Sequence, residues 1–564
     1  KIDGLIYLPA KLPVGANLNK IIEGDIGDTW SLNYKWKPEI LNTIDFAVYI
    51  EKENKKNKHK INSATINGNV VLYKTLILTN RYNIEKDTTT DFCMKMIKPI
   101  QKSIPKRMAF SPKVLNSEVN VSRANIIVKN NKILCENGQE IRDGDFVEMR
   151  YDGTKEHNMV WIPLRVRFDK TNENTFDTAM KIWKTIENPI TDEMICGDVD
   201  IKTVGKDDNL LENEYYGEKK VSILSEPLKL LHNYIKFILI TGVGSSKELN
   251  KEIQIMDTSI GQGGDINKYF TFYVKCKFLF GLDISNVNEA CKRYIKKHIY
   301  NEKYQIPPAI FIKYDTSKNI IQKEGIDRHD TYQQNILNSL YNKGVNIDPE
   351  YEYIDSIIKG RGIGAKSDGS GNAFDMISCQ FSIHYYFKDS ETLDGYLKNI
   401  SENCKTGGYF IGCCYDGKLI FNRLKKSEPF EYVDKNENVI YRIEKEYDME
   451  SFDYDEDDET NMLGKSIRVE MESIGKPIEE YLVNFDFFVK KMENIGFVPE
   501  LPTMKNKYDI KTPIGSFKNI IDTLNDRNKE DTRFKNYVNS LEILQNDMLL
   551  ELSMMNKWFI FVKR

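Results

Sequence analysis

No apolar run in this chain approaches the roughly twenty residues that a membrane-spanning helix needs. The opening Lys1-Ile2-Asp3-Gly4-Leu5-Ile6-Tyr7 also lacks the order of a signal peptide. Cysteine is scarce and unordered. The nine residues Cys93, Cys135, Cys196, Cys276, Cys291, Cys379, Cys404, Cys413 and Cys414 form an odd set with no CxxC spacing, which argues against a zinc module or a disulfide framework and for a reducing compartment. Charge of one sign is missing too. Eighty basic residues against 84 acidic ones leave a net charge of -4, so any nucleic-acid surface must be a local basic patch. There is no initiator Met and the chain opens on strand-like residues, which predicts a piece of a longer protein.

What is present is length and a change of texture. At 564 residues the domain-size prior gives roughly three or four units. Short β-rich runs such as Val70–Leu78, Asn125–Val128 and Phe146–Tyr151, separated by turn-forming clusters, predict a small barrel or sandwich before residue 187. Ala179, Ile182, Trp183 and Ile186 then fall at helical spacing, closed by Asn188-Pro189. Residues 196–222 are polar and read as a linker. From residue 223 helices alternate with apolar strands, which predicts a mostly parallel sheet with ligands at the carboxyl ends of its strands. Two interruptions, the glycine-rich 360–371 and the acidic Asp453–Glu459, read as solvated excursions.

In the alternating part, the strand Ile253-Gln254-Ile255-Met256-Asp257 runs into Thr258-Ser259-Ile260-Gly261-Gln262-Gly263-Gly264-Asp265, a glycine-rich turn that opens a helix. Glycine there lets the backbone approach a ligand without a Cβ barrier, and the absence of GxxxxGK[ST] disfavours Walker-type phosphate binding. The next strand ends at Asp283, placed to accept from two ribose hydroxyls, and a third ends near Asp315, whose carboxylate can accept from an adenine amino group. Glycine turn, ribose acid and adenine acid on successive strands resemble the class I S-adenosylmethionine methyltransferases.

The segment Phe374–Phe387 narrows the substrate. A buried-strand run ends there in Gln380, Phe381, His384 and Tyr385, groups able to stack on a flat base and bond its edge. This string closely resembles the cap-binding motif of mRNA cap guanine-N7 methyltransferases, and Glu480-Tyr481-Leu482-Val483 resembles that family's acid motif. The resemblance implies guanine contacts from Phe381, His384, Tyr385 and Glu480, and a donor-side role for Gln380. It further implies that Lys236, in Leu231-His232-Asn233-Tyr234-Ile235-Lys236, reaches the methionine carboxylate, that Asp257 lies near the ammonium, and that Gly261, Gly263 and Asp265 complete the donor site. Ser259 and Gln262 depart from the family's usual Gly and basic residue. Asn556–Phe561 resembles a terminal strand with an aromatic cap contact, Trp558 or a neighbour. No metal is implied, and no side chain is needed as acid or base.

The N-terminal part resembles the capping enzymes of large DNA viruses. Lys1-Ile2-Asp3-Gly4 matches a nucleotidyltransferase lysine motif, but Tyr34-Lys35-Trp36-Lys37-Pro38 follows too soon, so Asp3–Ile6 is better read as a later motif of that family. Trp161–Lys170 resembles a motif carried on an oligonucleotide-binding (OB-fold) barrel. The implied fold is a class I, Rossmann-like α/β methyltransferase domain at 223–564, preceded by the tail of a nucleotidyltransferase domain at 1–40 and an OB-fold β-barrel at 41–195. Lys35, Lys37, Arg167, Asp169 and Lys170 would be the remnant of a GTP site.

The expected substrate is a capped mRNA 5′ end, with GTP or cap guanosine as ligand. An upstream triphosphatase and guanylyltransferase portion, and a stimulatory subunit, are the implied partners. The expected place is the host cytoplasm or the virion, with no membrane. Two other readings stay open: a methyltransferase for another nucleobase or a small molecule, and a non-catalytic RNA-binding or stimulatory subunit.

Overall fold

The computed structural model describes residues 4–8, 34–53, 58–66, 68–100, 106–112, 120–155, 159–196, 225–249, 252–301, 305–327, 329–342, 346–363, 373–426, 428–433, 439–456, 459–472, 476–504, 510–525 and 548–564. Lys1 to Asp3, the expected linker beyond Cys196 and the glycine-rich 364–371 lie outside the described residues. The chain divides into two units, 1–90 with 103–206, and 91–102 with 207–564.

In the first unit a short pair, β1 (Leu5–Tyr7) and β2 (Tyr34–Trp36), stands apart from an antiparallel sheet. That sheet comprises β3 (Thr43–Ile50), β4 (Asn62–Ile66), β5 (Asn69–Arg81), β6 (Arg107–Ala109), β7 (Arg123–Lys129), β8 (Lys132–Ile133), β9 (Phe146–Tyr151) and β10 (Trp161–Val166). Its path is β10-β9-β3-β5-β7-β8, and the thirteen-residue β5 also pairs with β4 and β6. One long strand therefore serves four partners. Phe46, Phe110, Trp161 and Trp183 pack edge to face or tilted at 5.0 to 6.0 Å, and the Trp161 indole N–H donates to the Val121 carbonyl at 2.9 Å. That bond satisfies the polar end of an otherwise apolar side chain.

Residues 91–102, inside the stretch expected as one barrel domain, group with the second unit and carry the short helix α1 (Phe92–Met96). In the first unit α2 (Phe176–Glu187) is capped by Thr175, whose hydroxyl accepts from the Thr178 N–H, and buries Phe176, Ala179, Trp183 and Ile186. Ile182, expected on that face, packs against the same core while only partly buried.

The second unit begins with α3 (Ser225–Gly244) and is built on β11 (Ile253–Asp257), β12 (Cys276–Asp283), β13 (Ala309–Lys313), β14 (Phe374–Gln380) and β15 (Cys404–Tyr415), all parallel. The order β13-β12-β11-β14-β15 reverses between β11 and β14, the kind of switch point where open α/β sheets bind ligands. Every residue of β11 is buried, as expected of a parallel strand covered on both faces. Crossover segments include α4 (Ile266–Tyr269), α5 (Asn288–Tyr300) and α6 (Ser390–Asn403).

A second sheet, β16 (Phe430–Val433), β17 (Val439–Lys445), β18 (Ser466–Met471) and β19 (Ile478–Tyr481), is antiparallel in that order and is followed by α7 (Phe485–Asn494). It brings Glu480 on its edge strand. Three further strands extend the main sheet: β20 (Phe497–Pro499), β21 (Ile514–Ser516), which leads into α8 (Phe517–Asn525), and the antiparallel β22 (Asn556–Lys563), preceded by α9 (Met548–Met554). Trp558 on β22 is buried, its ring against Gly515 and its N–H donated to the Thr512 carbonyl at 3.0 Å. It is a core residue rather than a free cap contact. No described helix is long and apolar enough to cross a membrane.

Candidate active site

Three strand ends carry the donor-side acids in one repeated local form. Asp257, Asp283 and Asp315 each accept, through Oδ1, the backbone N–H two residues on, from Ser259, Ser285 and Ser317 at 3.0, 2.9 and 2.9 Å. The Asp-x-Ser spacing is a sequence signal that the strand reading did not use. These turns fix each carboxylate at its strand's carboxyl end. Asp283 also accepts from the Gly261 N–H at 2.7 Å, which ties the glycine turn to the second strand. Gly263 has φ 77°, and a Cβ there would lie 2.6 Å from Ile266 and 3.0 Å from the Ala290 backbone. Only glycine allows that approach.

Behind the turn lies a buried charge cluster. Asp265 takes both Lys236, at 2.9 Å, and Lys268, at 2.6 Å. Lys268 donates further to Asn233 at 3.0 Å, and the Tyr269 hydroxyl donates to Asp257 at 2.8 Å. Burial alone would raise Asp265, but the pull of the two lysines outweighs it and the group sits below its ordinary value. Burial, reinforced by Asp265, pushes Asp257 up to about 7. Sequence reasoning found Lys236 and both acids but missed Lys268, Asn233 and Tyr269. A lysine one turn after an acid reads as an ordinary exposed helix residue, whereas Lys268 is 8% exposed.

This donor set fits the amino-acid end of S-adenosylmethionine. Two lysines share one carboxylate, leaving a surplus cation for a carboxylate, and Asp257, raised to about 7, is an acid that a neighbouring ammonium would ionise fully. Asp283 and Asp315 keep acceptor capacity beyond their turn bonds. Gln380 is committed within the protein, its amide N–H donated to the Ser378 hydroxyl at 3.0 Å and its carbonyl accepting from the Cys413 thiol at 3.2 Å.

After β14 the chain turns sharply. Phe381 has φ 56°, rare for a residue with a side chain, and its N–H is held by the Cys413 carbonyl at 2.8 Å. Its ring stacks on His232 at 5.1 Å and meets Phe517 edge-on at 6.1 Å, so one face is already covered. The turn Ile383–Lys388 then brings His384 and Tyr385 to Glu480. The His384 Nε2 lies 3.5 Å from Glu480 Oε2, and the Tyr385 hydroxyl 3.4 Å from Oε1.

That spacing would suit an ion pair, yet both groups are neutral at neutral pH. Burial pushes the imidazole down to about 3, and pushes the carboxyl up to about 8 against a weak opposing bond from Tyr385. Among the described residues, both His384 ring nitrogens and Glu480 Oε2 are buried without a hydrogen-bond partner. Unpartnered buried polar atoms are costly, and three of them lie together here.

In the first unit the motif cations behave differently. Arg167 binds Asp45 at 3.1 Å and Asp169 at 2.8 Å, and Lys170 binds Asp45 as well. Among the described residues they form a closed ion-pair network, raising the Arg167 pKa above its ordinary value mainly through Asp169. Lys35 is exposed on β2 and Lys37 follows it, exposed as well.

Residues 201–341 and 353–541 match the model of the mRNA (guanine-N(7))-methyltransferase domain, and residues 41–196 match that of the mRNA capping enzyme, C-terminal domain. A probable mRNA-capping enzyme of Acanthamoeba polyphaga mimivirus is 28% identical over 100% of this chain and 46% of its own length. An mRNA cap guanine-N(7) methyltransferase of Aspergillus niger is 27% identical over 38% of this chain and 33% of its own. One of Saccharomyces cerevisiae is 23% identical over 52% and 58%. The chain thus spans about half the length of the curated relatives it matches. With the first family model covering more than half of its residues, this chain belongs to the mRNA (guanine-N(7))-methyltransferase family.

Proposed function

We propose that this chain transfers a methyl group from S-adenosylmethionine to N7 of the guanine at a capped RNA 5′ end. The observation that carries the reading is Glu480, a buried carboxyl with one oxygen unpartnered beside the unpartnered nitrogens of His384. The turn that carries His384 follows β14, the strand directly beside β11, where Ser378 pairs with Asp257.

When bound, the donor supplies an electrophilic methyl on a sulfonium. Guanine N7 carries a free lone pair near neutral pH, so no residue need remove a proton, and the protein's task is alignment. Lys236 holds the donor's carboxylate, Asp257 its ammonium, Asp283 its ribose hydroxyls and Asp315 its adenine edge. Gly261 and Gly263 admit the backbone approach, Asp265 and Gln380 brace the pocket, and Phe381, His384 and Tyr385 hold the guanine. Glu480 accepts from the guanine N1 and amino edge. As methylation moves positive charge onto the purine, its carboxyl loses its proton more readily, and that growing attraction favours the transition state.

The first unit is read as an OB-fold barrel with the tail of a guanylyltransferase. Contact of Arg167 and Lys170 with GTP phosphates would require their bonds to Asp45 to open. The upstream triphosphatase and guanylyltransferase, a stimulatory subunit and a host-cytoplasmic or virion setting belong to the same proposal. The test is transfer of labelled methyl to GpppRNA with 7-methylguanosine released on digestion. Label on an internal base, on protein, or equally on uncapped triphosphate RNA would sink it.

A further inference from the structure

Arg167 and Lys170 of the first unit are neutralised by Asp45, Glu148 and Asp169, whereas two cations that line a cavity of that unit are not so paired. Arg81, at the end of β5, and Lys86, in the turn after it, line a cavity of about 410 Å³ together with Tyr82, Asn83, Ile84 and Thr175. Among the described residues neither makes an ion pair, and both are exposed. The nearby acids are engaged elsewhere. Asp177 is held by Lys181 at 2.8 Å and by the Thr88 hydroxyl at 2.6 Å, while Asp87 accepts from the Thr89 and Thr90 N–H groups at 3.0 Å each. Arg81 and Lys86 thus line the cavity with no acid in its lining and no ion-pair partner among the described residues, with Glu85 and Asp87 in the same turn.

The floor is apolar. Ile84 and Tyr82 are 3% and 8% exposed, and the Tyr82 ring meets Phe176 edge-on at 5.9 Å. A cavity of this volume lies in the range of ligand sites, and a basic rim over an apolar floor suits a nucleotide unit, phosphate outward and sugar or base inward. With a chain-wide net charge of -4, an RNA has no global field to follow, so a local cationic site is what its backbone would use.

We propose that the Arg81–Lys86 cavity binds the phosphate backbone of the single-stranded RNA whose capped end is the substrate. The identity of that RNA as substrate rests on the reading above; its binding here does not require catalysis.

The double variant Arg81→Ser/Lys86→Ser in the full chain tests this against three probes: GpppG, a long capped RNA and inorganic triphosphate. KM for the long RNA should rise while kcat and KM for GpppG stay unchanged, which also shows that the variant is folded. Two lost phosphate contacts should lower the single-strand salt slope by about 1.4, so between about 50 and about 200 mM salt the wild type should lose about sevenfold more affinity than the variant. The swapped variant Arg81→Lys/Lys86→Arg should keep the wild-type slope. An unchanged RNA KM and slope overturns the proposal, as does an equal loss with GpppG. Triphosphate that displaces RNA from the wild type at comparable concentration reassigns the site to a small phosphate and also overturns it. Should the wild type transfer no methyl at all, the function fails, but RNA binding followed by anisotropy with the same variants still decides the cavity.

Discussion

Two buried carboxylates, one in each unit, are treated in opposite ways. Asp45 is 5% exposed, and its oxygens are fully taken by Arg167 and Lys170. Glu480 is 4% exposed and, among the described residues, meets a 3.4 Å tyrosine and a neutral imidazole and keeps one oxygen unpartnered. The first pattern is what a carboxylate needs to be buried at all, and the second is what it needs to receive something. The difference separates a structural network from a site, although the cations that Asp45 holds and Glu480 itself both lie in stretches that resemble functional motifs.

The widest effect that would break this contrast is on stability. Asp45→Asn should destabilise the chain by about 3–5 kcal/mol in urea unfolding, because Arg167 and Lys170 lose their shared partner. Glu480→Gln should do the reverse. Its carboxyl holds its proton in the folded chain up to about 8, while the unfolded chain loses it near 4.5. Native stability is therefore whole below about 4.5 and is lost as pH rises toward 8. The variant should be more stable than wild type at pH 8, by at most about 5 kcal/mol, with the gap closing toward pH 5. The same variant should lose about 100-fold or more in methyl transfer with donor affinity kept, about 3 kcal/mol of transition-state stabilisation. A Glu480→Gln chain that is destabilised at pH 8, or active, would remove the distinction.

Smaller effects sharpen it within the donor pocket. Lys268→Met should raise the donor KM about tenfold with kcat nearly kept, since Lys236 would then have to neutralise Asp265 alone, and Lys268→Arg should recover most of the loss. Asp257 stands at about 7 in the free chain. An ammonium beside it would lower that value, so donor binding should release about half a proton at pH 7 and almost none well above it, read by calorimetry in buffers of different ionisation heat. Heats independent of buffer would contradict the placing of that ammonium.

Much of the second unit's framework was legible because parallel strands buried on both faces leave continuous apolar runs. The strand expected at Ile253–Asp257 has those bounds, and the next one, expected to end at Asp283, is Cys276–Asp283. Asp257 and Asp283 could be read as site acids because strand ends and glycines frame them. The sheet that carries Glu480 was not legible. Arg442, Glu444, Arg468 and Glu470 alternate along β17 and β18 as on a solvated surface, and only the Glu-Tyr-Leu-Val string pointed to its edge strand. Nor could the bond from Arg167 to Asp45 be read, since 122 residues separate them. Long-range pairing decides whether a basic motif residue is free or spent, and no local pattern records it.

The most direct measurement is the protonation of Glu480 itself, followed as the carboxyl infrared band that disappears in the Glu480→Gln difference spectrum. The band should show a protonated acid at pH 7 in the chain alone, titrating near 8, and should give way to carboxylate when m7GpppG binds, because the methylated guanine brings the positive charge that the site is built to meet. A Glu480 that titrates near 4.5 in the free chain, or that keeps its proton with m7GpppG bound, would contradict the account.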